Sequence, residues 1–299
     1  MPRQDKTCTM EKAAALIKDG ARIAFGGFAI YQRPMAFVHE LIRQKKKNLT
    51  VVGAVNAIEV DMLAGAGCLS GIETSYVGLE KFGLARNFRR KVESGETKVV
   101  EYPELLSWDR FKADQEGLPF WTADYLGGSD IVNRNPAIKP FSCPITGKLL
   151  WAVPAAKADV VVVHAFAGDK YGNIQIPERH MLPQSIDITL TRGCDTVIVT
   201  VEKILDTEVI TSKPHLNYIA AFRPACVVEA PYGAHPTAVL GCYHTDRPAF
   251  EEYVEAAQAP EKFHDYLEKY VLGTKNHQEY LEKVGRERLQ EIRQEGGLL

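Results

Sequence analysis

The chain has 299 residues, 45% of them hydrophobic and 25% charged, with a formal net charge of −2. That balance is ordinary for a folded soluble protein and gives no basic footprint for nucleic acid or an anionic membrane. No apolar run approaches the roughly 20 residues a transmembrane helix needs. The first twenty residues carry acidic side chains and no long apolar core, so no signal peptide is expected. The six cysteines, Cys8, Cys68, Cys143, Cys194, Cys226 and Cys242, form no C-x-x-C pair. They read as thiols in a reducing cytoplasm, with Cys143 and Cys242 as small packing residues, rather than as a disulfide frame or a zinc site.

In chain order, Thr9–Lys18 reads as a helix, with Thr9 as N-cap, Glu11 in the first turn and Gly20 just past the end. A short apolar strand, 22–26, then runs into Gly26-Gly27. A helix over Pro34–Gln44, a strand at 49–55 and helices over Ala57–Ala64 and Gly83–Glu93 follow. Next come a strand at 97–101 and a helix over Glu104–Gln115. The stretch 127–147 carries three prolines and little periodicity, and reads as a long loop or hairpin excursion. Strands at 158–164, 195–201 and 225–229 complete the alternation. From Phe250 onward the chain is helical and strongly charged. Continuous apolar runs, rather than strict alternation, are the mark of parallel strands covered on both faces. The class is α/β, and with no repeat or convincing linker residues 1–299 read as one domain.

Glycine at the carboxyl end of a strand removes side chains where a ligand or another backbone approaches. In open α/β sheets ligands bind at those ends. Gly26-Gly27 fits that reading, and it also fits a plain tight turn into the Pro34 helix. The stretch GGFAIY lacks the G-x-G-x-x-G spacing of a dinucleotide site.

Four ordered segments carry a resemblance. DGARIAFGGFAIYQRP (19–34) resembles the N-terminal signature of family I coenzyme A transferases, with Gln32 near where the family carries a further glycine. NFRRKVESG (87–95), ADVVVVHAFAGDKYGN (158–173) and VVEAPYGAHPT (227–237) resemble segments of the A-type half of glutaconate CoA-transferase. The resemblance implies a three-layer α/β fold of CoA-transferase type, with a mostly parallel sheet and helices on both faces. It implies a coenzyme A thioester as substrate, no permanently bound cofactor, and a dicarboxylic or otherwise polar acyl group. In that family a glutamate attacks the thioester, passing through an anhydride and an enzyme–CoA thioester. This glutamate sits in a Ser-Glu-Asn-Gly-like motif on the B-type half, and no such motif occurs here. The resemblance therefore implies a B-type partner, in a heterodimer or α2β2 assembly, and a chain inactive alone.

For the site, Gly26, Gly27 and Phe28 are expected to wall the acyl pocket, close enough for backbone contact. Arg33, in the same turn, is the first candidate to meet a second substrate carboxylate. Ser75, Tyr76, Arg86, Asn87 and Arg89 lie in the 72–95 segment and are further polar candidates. His235 either binds the CoA or acyl group or bonds to backbone. Glu104 either complements its helix dipole or does acid–base work, as a glutamate near this place does in related ring-opening hydrolases. His164 reads as a core histidine, and His180 and His244 lack metal-ligand spacing, so no metal is expected. A hydrolase or lyase on a ring dione or dicarboxylic acyl-CoA, a sugar-phosphate isomerase-like module and a non-catalytic binding role stay open beside the transferase.

Overall fold

Seven parallel strands form the frame of the computed structural model, which describes residues 3–178 and 182–294. They are β1 (Arg22–Phe25), β2 (Leu49–Val52), β3 (Leu69–Thr74), β4 (Lys98–Glu101), β5 (Val160–Gly168), β6 (Val197–Ile204) and β7 (Pro224–Glu229). Their spatial order is β7-β6-β5-β1-β2-β3-β4. Two short antiparallel strands, Ile174–Gln175 and Asn217–Ile219, hang from the far end of β5.

The two-residue period of a strand sorts these apolar runs onto two cores. Ile23, Phe25, Val160 and Val162 face one, which is roofed by the helices at Met10–Ala15, Met35–Arg43 and Ile58–Gly65. Ala24, Val161, Val163 and Val199 face the other, under the helices at Glu104–Gln115 and Leu182–Arg192. The fold is thus three layers. The charged C-terminal helices close the first core with an aromatic set that includes Phe250, Tyr253, Phe263, Tyr266 and Tyr280. Truncating a fully buried member such as Leu41 to alanine would cost about 2–5 kcal/mol.

Several sequence expectations shift. The 49–55 run breaks after Val52, and Val55–Asn56 pairs instead with Tyr76–Val77 in a separate two-stranded sheet. The strand at 69–74 and the helix at 182–192 add to the expected elements. The 83–93 helix starts at Arg86, after a 3-10 turn at Glu80–Phe82. The 127–147 excursion is a hairpin with a short helix at Ile131–Arg134. Its strands, Lys139–Ser142 and Leu149–Pro154, pair with each other, and Leu149–Pro154 also pairs with Phe120–Ala123, making a separate three-stranded antiparallel sheet. Cys143, expected as packing, sits half-exposed near the tip of that hairpin, whereas Cys242 is buried. His180 lies outside the described residues.

Candidate functional site at the strand-order reversal

From β1 the chain runs outward through β2, β3 and β4. It then returns to the other side of β1 to begin β5. The crossovers after β1 and β2 lie on one face and those after β4 and β5 on the opposite face. Such a reversal opens a crevice outside the carboxyl ends of the two strands, which is where open α/β sheets bind ligands. Here the carboxyl end of β1 is Gly26-Gly27.

The turn is tight and unusual. Gly27, Ala29 and Gln32 all have left-handed backbones, with φ of 81°, 47° and 57°. Non-glycine residues in that region carry strain that surrounding structure must hold in place. The Phe28 N–H donates to Tyr31 O at 3.0 Å and the Tyr31 N–H returns to Phe28 O at 2.9 Å. The 233–238 loop backs the turn. It accepts from Gln32 N at Ala238 O (2.9 Å) and from Ala36 N at Gly233 O (2.8 Å).

The glycines are bare for an internal reason. A Cβ on Gly27 would stand 2.5 Å from Tyr31 O, and one on Gly26 would run into Asp187 Oδ1 and come within 2.7 Å of Val163 Cγ1. The Gly26 N–H donates to Val162 O (2.8 Å) and the Gly27 N–H to Asp187 Oδ1 (2.9 Å). The N–H groups of Gly26, Gly27 and Phe28 are therefore committed inside the chain. The expectation that they make backbone contact with the acyl group is corrected to one of shape.

Arg33 is corrected more strongly. It is 1% exposed. Its Nε donates to Ala29 O (2.8 Å), its Nη1 to Gly26 O (3.1 Å) and its Nη2 to Val55 O. Its ion-pair partner is Glu59, at 3.3 Å, and Glu59 also accepts from the Ala57 N–H at 3.0 Å. Burial lowers the guanidinium pKa, against the pull of Glu59 and Asp187. A group so enclosed ties the ends of β1 and β2 together and presents nothing to a substrate carboxylate.

What faces outward is a different set. Phe28, half-buried, packs with Ala29, Ala54, Val55 and Trp108. Ser75, also half-buried, donates from Oγ to Ala54 O at 2.7 Å. Tyr31 and Tyr76 are 47% and 41% exposed. The structure thus gathers Gly26, Gly27, Phe28 and Ser75 along the carboxyl ends of β1, β2 and β3.

The other candidates lie elsewhere. Arg86 is exposed at the start of the 86–93 helix, Arg89 pairs with Glu93 on that helix at 2.7 Å, and Asn87 is buried against Asp61 at 3.1 Å. His235 is enclosed, with Nδ1 at 2.6 Å from Tyr280 Oη and Nε2 at 2.9 Å from Asp246. Burial alone would raise the Asp246 carboxyl, but the bonds from His235 and Arg288 outweigh it and hold it well below the usual carboxylate range. The His235 imidazole meets side chains rather than backbone, and it fastens the loop behind the turn to the C-terminal helices. His164 is a core residue as expected, between Thr200 (2.8 Å) and Glu202 (2.5 Å). Glu104 is exposed at the first position of its helix, which follows β4 and carries Trp108, the residue packed with Phe28. A cleft of about 680 Å³ lies on the β4 edge, lined by Val99, Glu101, Asp130, Arg134 and Asn135.

Sequence reading missed Glu59 and Asp187. Asp187 had one local signal, a carboxylate between Ile186 and Ile188 in an apolar stretch.

Known proteins share this fold. The coenzyme A transferase family model matches residues 7–230. An uncharacterized protein of Archaeoglobus fulgidus is 39% identical over 97% of this chain, which spans 64% of that relative's length. The A-type half of the 3-oxoadipate CoA-transferase of Pseudomonas knackmussii is 31% identical, with 92% of this chain and 96% of that one covered. The crystal structure of glutaconate coenzyme A-transferase from Acidaminococcus fermentans superimposes with a TM-score of 0.91 at 29% identity, covering 97% of this chain and 96% of that one. The chain belongs to the coenzyme A transferase family.

Proposed function

We propose that this chain is the A-type half of a heteromeric CoA transferase that moves CoA between an acyl-CoA and a free carboxylate. The observation that carries the reading is the likeness to a glutaconate CoA-transferase over nearly the whole of both chains. The strand-order reversal, with its strained turn at the end of β1, supports the same reading. The acyl group is dicarboxylic and glutaconate-like, and the assembly is a heterodimer or α2β2 with a B-type partner. The scattered thiols favour the cytoplasm, and among the described residues no helix is long and apolar enough to cross a membrane.

The nucleophile belongs to the partner. Near the turn, this chain's glutamates are occupied: Glu59 holds Arg33, Glu73 pairs with Arg22 and Arg110, and Glu202 bonds His164 and Tyr243. A partner glutamate attacks the thioester carbonyl, releasing CoA thiolate and forming a mixed anhydride. The thiolate then attacks the glutamyl carbonyl of that anhydride, expelling the first carboxylate and leaving CoA on the glutamate. The second carboxylate reverses the sequence. This chain contributes the acyl-side wall, through Gly26, Gly27 and Phe28, with the Ser75 hydroxyl beside them. Arg86 and His235 stay outside the contact set, and Glu104 takes no part in transfer. No bound cofactor is required, since the thioester brings its own activation.

The test is CoA exchange by the two halves together and apart, with dicarboxylic and monocarboxylic acyl-CoAs and acetate as acceptor. Acetyl-CoA should form only with both halves present, and faster from the dicarboxylic donors. Acyl-CoA consumed without acetyl-CoA formation would overturn the transferase reading.

A further inference from the structure

A buried carboxyl group reaches the Gly26-Gly27 turn at the crevice between β1 and β5. Asp187 comes from the 182–192 helix on the second face and is fully buried. Its Oδ1 accepts the Gly27 N–H at 2.9 Å. Its Oδ2 accepts from Tyr218 Oη at 3.3 Å and faces Gln32 Nε2 at 3.4 Å. Gln32 is itself fixed, donating to His164 O at 2.8 Å and accepting from Gln184 Nε2 at 2.6 Å. One acidic side chain thus joins a helix on one layer to the strained turn on the other.

We propose that Asp187 is a positioning residue for CoA transfer, and that its ionised form is the clamp that holds the Gly26-Gly27 turn in its reactive shape. This rests on the reading that the turn borders the acyl site. The neighbours converge on the ionised form: a backbone N–H, a phenol O–H and an amide N–H all point at the carboxyl oxygens. A protonated carboxyl would bring a fourth hydrogen into that ring of donors. The charged and titratable groups acting on it are Arg33, from the turn, and Tyr218, from the 217–219 strand; Glu59 lies on the other side of Arg33. Burial pushes the carboxyl up to about 7, opposed by the Gly27 N–H, Tyr218 and Arg33. The clamp therefore tightens across the neutral range.

The experiment uses the assembled two-chain enzyme. We would follow kcat and KM for CoA exchange from pH 5.5 to 9, and hydrogen exchange of the 26–31 backbone. In the parent enzyme kcat should rise through about pH 7. Asp187→Asn sets an amide NH2 against Gln32 Nε2. It should remove that rise, lower kcat about tenfold at pH 8 with KM little changed, and speed exchange at 26–31. A role in folding alone would lower the yield of enzyme but leave the shape of the pH profile. Tyr218→Phe keeps the carboxylate and removes one donor, so it should move the rise to higher pH; it serves if the first variant fails to assemble. Unchanged exchange in Asp187→Asn, or an unshifted profile in Tyr218→Phe, would overturn the clamp. Faster exchange with an unchanged rate profile would instead overturn the placement of the turn at the acyl site.

Discussion

Removing the Arg33 guanidinium separates two accounts of the turn. As a surface cation meeting substrate, Arg33 would contribute little to stability, and its loss would appear in KM. Where the structure places it, Arg33→Met strips the donor from the carbonyls of Ala29, Gly26 and Val55 and leaves Glu59 charged and fully buried. Breaking a buried ion pair from one side costs about 3–5 kcal/mol. Each stranded carbonyl could add about 1–3 kcal/mol, so relaxation of the turn must absorb part, and the expected loss is about 4 kcal/mol. Glu59→Gln should cost a similar amount, because Arg33 then keeps its charge with Asp187 as its remaining counter-charge. The double variant removes both charges and should be less destabilised than the sum by about 2 kcal/mol or more. Urea unfolding of the four proteins gives the cycle. A loss under about 1 kcal/mol for Arg33→Met, with KM for a dicarboxylyl-CoA raised, would refute the reasoning and restore Arg33 to the substrate.

Further outcomes follow from the same geometry. Gly27→Ala should lower stability by at least about 1–3 kcal/mol for the left-handed backbone alone, before the crowding at Tyr31 O; the urea midpoint reads it. Asp187 gives stability a pH dependence of known sign. The folded chain keeps a proton up to about pH 7 that the unfolded chain loses near 3.8, so stability falls as pH rises between those values and levels off above. The full span of this one contribution is on the order of 4 kcal/mol, and it is read as the difference between parent and Asp187→Asn in a series of melting temperatures, because His39 and His277, whose pKa values burial lowers, give both proteins a slope of the opposite sign. Glu104→Gln should leave CoA exchange within about twofold of the parent, since the side chain is exposed and the transfer nucleophile is assigned to the partner. Abolished activity in that variant would favour acid–base chemistry at Glu104.

Much of the frame was legible because its signals are local. Pro103 and the apolar spacing behind it fixed the helix at Glu104–Gln115, and Thr9 does cap the first helix through its hydroxyl. The β-branched runs of β5 and β6 could be little else. By contrast β3, LSGIET, dilutes its apolar residues with serine and glycine, and becomes a strand through pairing with β2 and β4. At the site, the glycine pair and Ser75 could be placed together from motif order. The role of Arg33 could not be read, because it depends on Glu59 and on the Val55 carbonyl, both in later elements of the chain. Nor could Asp187, whose partner Gly27 is 160 residues away. Close approach explained the glycines, but the approaching group is the protein's own carboxyl and carbonyls.

The most direct test of the central claim is to find where CoA becomes attached. The two-chain enzyme would be incubated with acyl-CoA in the absence of an acceptor, quenched in acid, and both chains weighed by mass spectrometry. The account predicts CoA in thioester linkage on a glutamate of the partner, with this chain unmodified. CoA carried by this chain, or carried by neither while acyl-CoA is consumed, would contradict it.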